Sequence, residues 1–278
     1  MKTKKTVVKI LLTLVAATLI FLMITPFLIM VSTSLKTLEQ VTLWPPRWIP
    51  EVINWSNFQE AWLGKGEFKR AFINSLIVSS STMLLCILLG TFAAYGTSRF
   101  NFKGKKLFLF LIIITQMFSA VILIAPMYKI MTRLDLLNSY LSLIIPNTAF
   151  SLPMTVWLLY GYLEGIPISL EEAAMMDGCS RTQAVFKVLM PLLAPGMITS
   201  GLFAFIVSWN DLLFAQTFIT RPEMRTLSLA LTTYKSLFET YWHTMMAASV
   251  ISVAPVFILF LSIQKYLVKG LAAGGVKE

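Results

Sequence analysis

The chain has 278 residues, of which 57% are hydrophobic and only 13% are charged, and its formal net charge is +10. Several apolar runs exceed the ~20 residues that cross a bilayer, which argues against a soluble enzyme. Excess lysine and arginine are typical of the cytoplasmic ends of membrane spans, and no basic soluble module indicates a nucleic-acid partner. The composition therefore predicts an all-α integral membrane protein.

Residues 1–70 are predicted to form an N-terminal transmembrane helix and an external loop. Four lysines precede an apolar run from Ile10 to Val31, which is too long for a signal peptide and lacks a small-residue cleavage site. We therefore expect a retained first span whose N-terminus is cytoplasmic. The loop that follows includes residues 44–50, where prolines oppose a helix and tryptophans suit a membrane–water interface.

Residues 71–268 are predicted to form the core transmembrane domain, and residues 269–278 a cytoplasmic tail. Five further apolar runs bring the number of spans to about six, and they cover residues 71–98, 107–131, 140–162, 195–219 and 243–267. Six spans place both termini on the same side of the membrane. The dense basic clusters before the first span and between the second and third indicate that this side is the cytoplasm.

The polar segment at residues 163–194 carries several acidic residues and is predicted to form two short helices in the cytoplasm. Ser169 and Glu172 have the S-x-x-E spacing of a capping box, which predicts a first helix over residues 170–177. That helix is expected to stop at Gly178, because a glycine can take the left-handed conformation that ends a helix.

The second short helix is predicted to begin at Ser180, which has the same spacing to Gln183, and to end at Pro191. The first helix shows a small apolar surface flanked by carboxylates. Two interpretations follow: an amphipathic connector on the membrane surface, or a docking site for another protein. Helices that lie on membranes are usually basic, so the acidic residues favour docking.

The pattern across this segment closely resembles the EAA loop of ABC importer permeases. Glu172–Ala174 is followed after three residues by Gly178, and after nine more by Val188–Pro191. The last of these departs from the family consensus Ile-x-Leu-Pro by two substitutions that conserve size and polarity. Ser208–Asp211 and the tail at residues 269–277 are similar to the carbohydrate-importer branch, in particular its maltose-type second permease.

The resemblance implies a type I ABC importer permease fold and a place in the bacterial inner membrane. In that family the first short helix of the loop is the coupling helix, which seats in a groove of an ATP-binding subunit. The residues that the resemblance assigns to ATPase coupling are Glu172, Ala173, Ala174, Asp177, Gly178 and Pro191. Closure of the ATPase dimer on ATP then rocks the spans between inward-open and outward-open states.

The resemblance also implies partners: an ATP-binding subunit dimer, a second and different permease subunit, an extracytoplasmic sugar-binding protein and membrane lipid. The 278 residues hold no G-x-x-x-x-G-K-[ST] phosphate loop, so ATP and Mg²⁺ are expected to be used by the separate ATPase. This chain is expected to bind no cofactor and to be a transporter subunit rather than an enzyme. The implied function is uptake of a carbohydrate, an oligosaccharide in particular, through a path of which this chain forms half.

Trp209, Asn210 and Asp211 are the predicted substrate-path residues. Asp211 is the only acidic residue in a predicted span and lies ~24 Å beyond Pro195 at ~1.5 Å per residue, near the outer interface. An aromatic face with amide and carboxylate groups suits a sugar, through stacking and hydrogen bonds to hydroxyls. Alternatively, Asn210 and Asp211 hydrogen-bond neighbouring helices and hold the bundle together. No metal site is predicted, because the chain has one histidine and two cysteines without paired spacing.

A second function considered is an ion-coupled secondary transporter or channel for a small polar solute. Such proteins usually show an inverted repeat or several acidic residues within their spans. One acidic residue and no evident repeat favour the ABC importer. A membrane enzyme would need histidines, cysteines or carboxylates clustered at one depth, and the sequence shows no such cluster.

Overall fold

Helices make up nearly all of the regular structure in the computed structural model, which describes residues 2–64, 67–235 and 240–275. The first helices in chain order are α1 (Lys2–Ser34), α2 (Leu38–Thr42), α3 (Ser56–Leu63), α4 (Phe68–Arg99), α5 (Lys105–Thr115), α6 (Ala120–Arg133) and α7 (Leu141–Glu164). They are followed by α8 (Ser169–Met176), α9 (Arg181–Ala184), a π-helical turn (Val185–Leu189), α10 (Met190–Trp209), α11 (Leu213–Phe218), a 3₁₀ turn (Pro222–Met224), α12 (Leu227–Thr232) and α13 (Trp242–Gly275). The prediction of an all-α membrane fold is confirmed.

Five helical stretches of the described chain are long and apolar enough to cross a bilayer. They cover residues 9–34, 68–99, 141–164, 181–209 and 242–264. A sixth span is obtained if α5 and α6 are taken as one broken helix. The prediction of about six spans is therefore confirmed, with differences at the third and fifth spans.

The third predicted span, residues 107–131, is not one continuous helix. α5 and α6 are bent by 96° relative to each other across a short break. Polar side chains in the break account for it. The Gln116 amide donates to the Phe150 carbonyl at 3.2 Å, and the Ser119 hydroxyl accepts from the first turn of α6. Side-chain hydrogen bonds of this kind compete with continuation of a helix.

One compact unit consists of residues 1–68 and 231–254. Within it, the predicted external loop contains α2 and α3, and the buried Asn57 side chain ties α3 to the end of α1. The Asn57 amide donates to the carbonyls of Ser34 at 2.9 Å and Lys36 at 2.7 Å. These bonds give partners to carbonyls at a helix end, which otherwise have none inside the helix.

The other compact unit consists of residues 69–230 and 255–278 and holds both predicted sites. A Cβ atom at Gly90 on α4 would lie 2.7 Å from the Thr155 side chain on α7, so glycine permits this close approach. Among the described residues, two clusters of buried side chains belong to its core. One joins α4, α7, the π-helical turn and α10 through Ala94, Val156, Leu159, Leu163, Val185, Leu189 and Leu193. The other, the α11 cluster, consists of Val78, Met131, Leu143, Ile144, Phe214, Ala215, Phe218 and Ile219.

Candidate functional site

The first short helix of the polar segment, α8, lacks the predicted capping box between Ser169 and Glu172, so that prediction was wrong. Ile168 occupies the N-cap position, and its carbonyl accepts from the Glu172 backbone N–H at 3.1 Å. Pro167 fixes the backbone before it, and the Pro167 carbonyl accepts from Leu170 at 3.3 Å. The first turn therefore forms before Ser169 can act as a cap.

The turn that ends α8 lies at Gly178, as predicted. Gly178 has a φ of +89°, in the left-handed region, and the Cys179 backbone N–H donates back to the Ala174 carbonyl at 3.0 Å. A Cβ atom at residue 178 would meet nothing within 4 Å. Backbone conformation rather than lack of space therefore favours glycine here.

The second short helix follows the prediction at its start and departs from it at its end. Ser180 and Gln183 form the predicted capping box, in which Gln183 Oε1 accepts from the Ser180 N–H at 2.9 Å. Pro191 does not end this helix, so that prediction was wrong: α9 continues through the π-helical turn into α10. The Met190 N–H donates to the Val185 carbonyl five residues back, and this wider turn accommodates the Pro191 ring.

A buried ion pair fastens α8 to the end of α4. Arg99 Nε lies 2.6 Å from Glu171 Oε1, and the two side chains are 7% and 6% exposed. The other guanidinium nitrogens donate to the Leu163 carbonyl at 3.2 Å and to the Ile166 carbonyl at 2.9 Å. Leu163 lies in the last turn of α7 and Ile166 lies two residues beyond its end, so neither carbonyl has the i+4 backbone partner of a helix interior. One guanidinium therefore joins α4, α7 and α8.

An aromatic and polar shell surrounds this ion pair. The Tyr95 hydroxyl donates to Glu171 Oε2 at 3.4 Å and accepts from the Arg181 guanidinium at 3.4 Å. Arg181 also lies over the Phe100 ring, 4.5 Å from its centroid, in a cation–π arrangement. These contacts extend the network from α4 and α8 to the start of α9.

Residues 172–178 form an exposed surface beside the ion pair, the α8 surface. It carries most of the predicted coupling residues. Ala174 is half-buried. The exposed coupling residues are Glu172, Ala173, Asp177 and Gly178 on this surface, and Pro191 at the start of α10. Apolar side chains are exposed here as well, among them Met175 at 40%, Met176 at 89% and Phe186 on the π-helical turn at 61%. The exposed methionines next to each other in α8, with acidic side chains beside them, make this surface a candidate for protein docking.

The other end of the helix at residues 181–209 carries Trp209, which lies in the core. Trp209 is 4% exposed, and its ring stacks on Phe205 at a centroid distance of 5.5 Å. The Phe72 ring meets it edge-on at 5.6 Å. Stacking on a sugar requires an open ring face. The packing of the Trp209 ring instead joins α10 to α4.

Asp211 lies in the break between α10 and α11, so the prediction that placed it inside a continuous span at residues 195–219 was wrong. Asp211 Oδ1 accepts from the Phe214 N–H at 3.1 Å, and Oδ2 accepts from the amide of buried Asn147 at 3.4 Å. A carboxylate that accepts from a backbone N–H three residues later starts a new helix, which explains why the helix does not continue.

Asn210 is exposed at the same break, and its amide donates to the Ile206 carbonyl at 2.9 Å. Together with the contacts of Asp211, this bond agrees with the interpretation in which both residues hold neighbouring turns and helices. Contact of Asn210 and Asp211 with a substrate stays a prediction.

Sequence reasoning missed Arg99 and Glu171. Arg99 belongs to the basic cluster between the second and third spans that predicts the topology, and Glu171 stands beside the motif residue Glu172. Two signals pointed to them. A cation at the end of a long apolar helix is placed to meet helix carbonyls. Two adjacent carboxylates in one helical turn point about 100° apart, so one of them can face a neighbouring helix while the other faces solvent.

Comparison with known proteins identifies related membrane proteins. Residues 86–273 match a family described as "Binding-protein-dependent transport system inner membrane component". The sulfoquinovosyl glycerol transport system permease protein SmoH of Agrobacterium fabrum is 40% identical over 245 residues, covering 88% of this chain and 86% of that protein. The trehalose/maltose transport system permease protein MalG of Thermococcus litoralis is 36% identical over 205 residues, covering 73% of this chain and 74% of that protein.

A solved structure supports the fold. The crystal structure of a bacterial ABC transporter involved in the import of the acidic polysaccharide alginate is similar to this chain with a TM-score of 0.80 at 23% identity. The similarity covers 95% of this chain and 97% of that one, and it confirms the predicted all-α permease fold. Because the family match extends over more than half of the residues, the chain belongs to the family of binding-protein-dependent transport system inner membrane components, as a multi-pass permease of an ABC importer.

Proposed function

We propose that this chain is the transmembrane permease subunit of an ATP-driven importer of a carbohydrate, an oligosaccharide in particular. The observation that carries the proposal is the α8 surface, an exposed short helix fixed to the ends of two spans in a member of a permease family. Relatives named for the transport of trehalose or maltose, of diacetylchitobiose and of melibiose, raffinose or stachyose support a carbohydrate substrate.

Coupling to a separate ATPase takes place in this proposal at the α8 surface. Glu172 and Asp177 supply charge at its two ends, and the small Ala173 permits close approach of a groove. Met176 is 89% exposed, and its flexible thioether side chain can fill an irregular apolar pocket. Gly178 holds the shape of the exposed turn through its left-handed backbone.

Transmission from this surface follows the continuous helix at residues 181–209. α8 packs against α9 and the π-helical turn, which run on into α10 without a break. A displacement of α8 therefore reaches the far end of α10 as movement of a rigid element. Pro191 acts in this proposal through the π-helical turn that accommodates it. Asn210 and Asp211 lie at the far end, where they would face the substrate path.

The partners in this proposal are an ATP-binding subunit dimer, a second permease and an extracytoplasmic sugar-binding protein. The apolar part of α1 supports contact with lipid or a second permease, because the residues of its most apolar window are all accessible within this chain. The lysines and arginine at residues 99–106 support a cytoplasmic position for the α8 surface and for both termini in the bacterial inner membrane.

The test is isolation of the tagged chain from native membranes in mild detergent. The proposal predicts that an ATPase with a phosphate loop, a second permease and a binding protein co-purify. A panel of mono- and oligosaccharides is then titrated into the binding protein by calorimetry. The sugar that binds should enter proteoliposomes that contain the complex only when MgATP is supplied.

A charge-reversal variant sharpens this test. Glu172→Lys should abolish uptake while the amount of the chain in the membrane stays normal, because the carboxylate at the α8 surface is exposed and stabilises no buried group. Normal uptake in Glu172→Lys would contradict the coupling role. Uptake that follows an imposed proton or sodium gradient and continues after ATP depletion would replace the proposal with a secondary transporter.

A further inference from the structure

The Arg99–Glu171 ion pair lies behind the α8 surface, where docking of a partner does not require it. Glu171 and Glu172 are adjacent in α8, and residues one apart in a helix point about 100° away from each other. As a result Glu172 is exposed, whereas the Glu171 side chain is 6% exposed and faces the end of α4. The two carboxylates of one helical turn thus have separate surroundings.

Arg99 contacts residues at the ends of two other helices, α7 and α8, from the end of α4. It is the last residue of α4, and its guanidinium contacts the Glu171 carboxylate on α8. Two further nitrogens donate to the carbonyls of Leu163 and Ile166 at the end of α7. A guanidinium can do this because its donors form a planar fork, which a lysine ammonium does not offer.

We propose that Arg99 is a positioning residue that makes α4, α7 and α8 move together when α8 is displaced by its ATPase. This inference rests on the proposed function, because it assumes that α8 seats on an ATPase. Without the Arg99 side chain, α8 still joins α7 through the chain and packs against α9 and the π-helical turn. A displacement of α8 would then reach α4 only through the Tyr95–Glu171 hydrogen bond and the apolar cluster around Ala94, without a charged link at the end of α4.

A purely structural role for this ion pair makes a different prediction. Removing one partner leaves an uncompensated buried charge and destabilises the protein, whereas replacing both by apolar residues of similar volume is often neutral for stability. The double variant Arg99→Met/Glu171→Met should therefore recover stability and yet lack the link between the helices. If the ion pair only stabilises the fold, the double variant should recover activity as well.

The experiment uses the complete complex with its ATPase in lipid nanodiscs. The variants are Arg99→Met, Glu171→Met and the double variant, and two quantities are measured. Thermal midpoints come from tryptophan fluorescence, and kcat and KM come from MgATP hydrolysis stimulated by the cognate binding protein. We expect both single variants to lower the midpoint and the double variant to restore it. Stimulated kcat should stay about tenfold low in the double variant with KM for ATP unchanged, because the coupling is lost and the ATP site is in another subunit.

Two further variants separate charge from geometry. Arg99→Lys keeps a positive charge beside Glu171 but cannot hold both α7 carbonyls, so it should keep the thermal midpoint and lower stimulated kcat. Lys106→Met is the control on the same side of the membrane: it removes one exposed positive charge and should change neither quantity. Equal losses in Lys106→Met would contradict the inference, because net charge would then explain them.

The result that would overturn the inference is wild-type kcat in the double variant with a restored thermal midpoint. The proposed function would still stand in that case, because the wild-type complex hydrolyses ATP in response to its binding protein. If instead no ATPase co-purifies with the wild-type chain, the proposed function fails and the inference fails with it. The two failures are therefore distinguished by the wild-type complex alone.

Discussion

The continuous helix at residues 181–209 is flanked by a short helix at each end, and a carboxylate with hydrogen-bond partners lies at each of the two junctions: Glu171 is buried and Asp211 is partly buried. At the α8 end, Glu171 is paired with the Arg99 guanidinium at 2.6 Å. At the α11 end, Asp211 accepts from the Asn147 amide at 3.4 Å and from a backbone N–H at 3.1 Å. The first arrangement links three helices through charge, and the second starts one helix through neutral donors.

The apolar side chains of the two short helices, α8 and α11, also differ in how far they are exposed. In α11, Phe214 and Phe218 are 4% and 1% exposed and stack at a centroid distance of 5.8 Å. In α8, Met176 is 89% exposed. The difference teaches that α11 completes the core of its own chain, whereas α8 is fixed from behind and leaves its front exposed, as the proposed docking on an ATPase requires.

The largest expected effect is a difference in the free energy of unfolding between variants of two phenylalanines, Phe186 near the α8 end and Phe218 in α11. Phe218→Ala should lower the free energy of unfolding by about 3–5 kcal/mol, because it opens a cavity in the α11 cluster. Phe186→Ala removes the same atoms from a side chain that is 61% exposed, and it should cost about 0.5 kcal/mol or less. Denaturant unfolding followed by tryptophan fluorescence measures both. Similar losses of unfolding free energy in the two variants would contradict the contrast between a buried α11 and an exposed α8 end.

The next largest effect concerns amide replacements of the two carboxylates. Glu171→Gln should lower the free energy of unfolding by about 3 kcal/mol, because the buried Arg99 guanidinium loses its counter-charge. Asp211→Asn keeps an oxygen acceptor for the N–H that starts α11, and should cost under about 1 kcal/mol. The same unfolding measurement applies. If Asp211→Asn lost more unfolding free energy than Glu171→Gln, the stability of the junction before α11 would depend on the charge of Asp211.

An intermediate effect is expected at the turn that ends α8. Gly178→Val forces a branched residue into a left-handed backbone, at a cost of about 1–2 kcal/mol, or roughly a 5- to 30-fold loss in the population of the docking-competent turn. Gly178→Asn is the matched control, because asparagine tolerates this conformation. ATPase co-purified with each variant is measured by quantitative immunoblotting. Equal retention of the ATPase by both variants would contradict a role for the shape of the turn.

The smallest expected effect separates the two serines near α8. Ser180→Ala removes a capping box and should lower the thermal midpoint of the complex, at a cost of about 1 kcal/mol. Ser169→Ala should leave the midpoint unchanged, because Ser169 caps no helix. Differential scanning fluorimetry compares the two variants. A loss in Ser169→Ala equal to that in Ser180→Ala would restore the capping box predicted at residue 169.

Much of the fold could be predicted because long apolar runs and local turn residues carry it. The spans near residues 71–98 and 140–162 follow from hydropathy alone, and the Gly178 turn follows from glycine's conformational freedom. The break between α5 and α6 could not be predicted, because it depends on the contact of Gln116 with the Phe150 carbonyl. Apolar composition is the same in a straight and a broken span.

In the candidate site, too, contacts between residues far apart in the sequence could not be predicted. The exposed motif residues of α8 were predictable, since the resemblance names them by spacing. The contact between Arg99 and Glu171 joins residues 72 positions apart, and no local pattern specifies it. The burial of Trp209 likewise depends on Phe72 of α4, so composition alone could not separate a packing residue from one that meets a sugar.

The most direct measurement of the central claim is photocrosslinking from the α8 surface in native membranes. A benzophenone amino acid is placed at Met176, and at Leu134 after the end of α6 as a control that is 59% exposed. The account predicts a covalent adduct between position 176 and an ATPase with a phosphate loop, identified by mass spectrometry, and no such adduct from position 134. Adducts from position 176 that contain only lipid, or an ATPase adduct of equal yield from position 134, would contradict it.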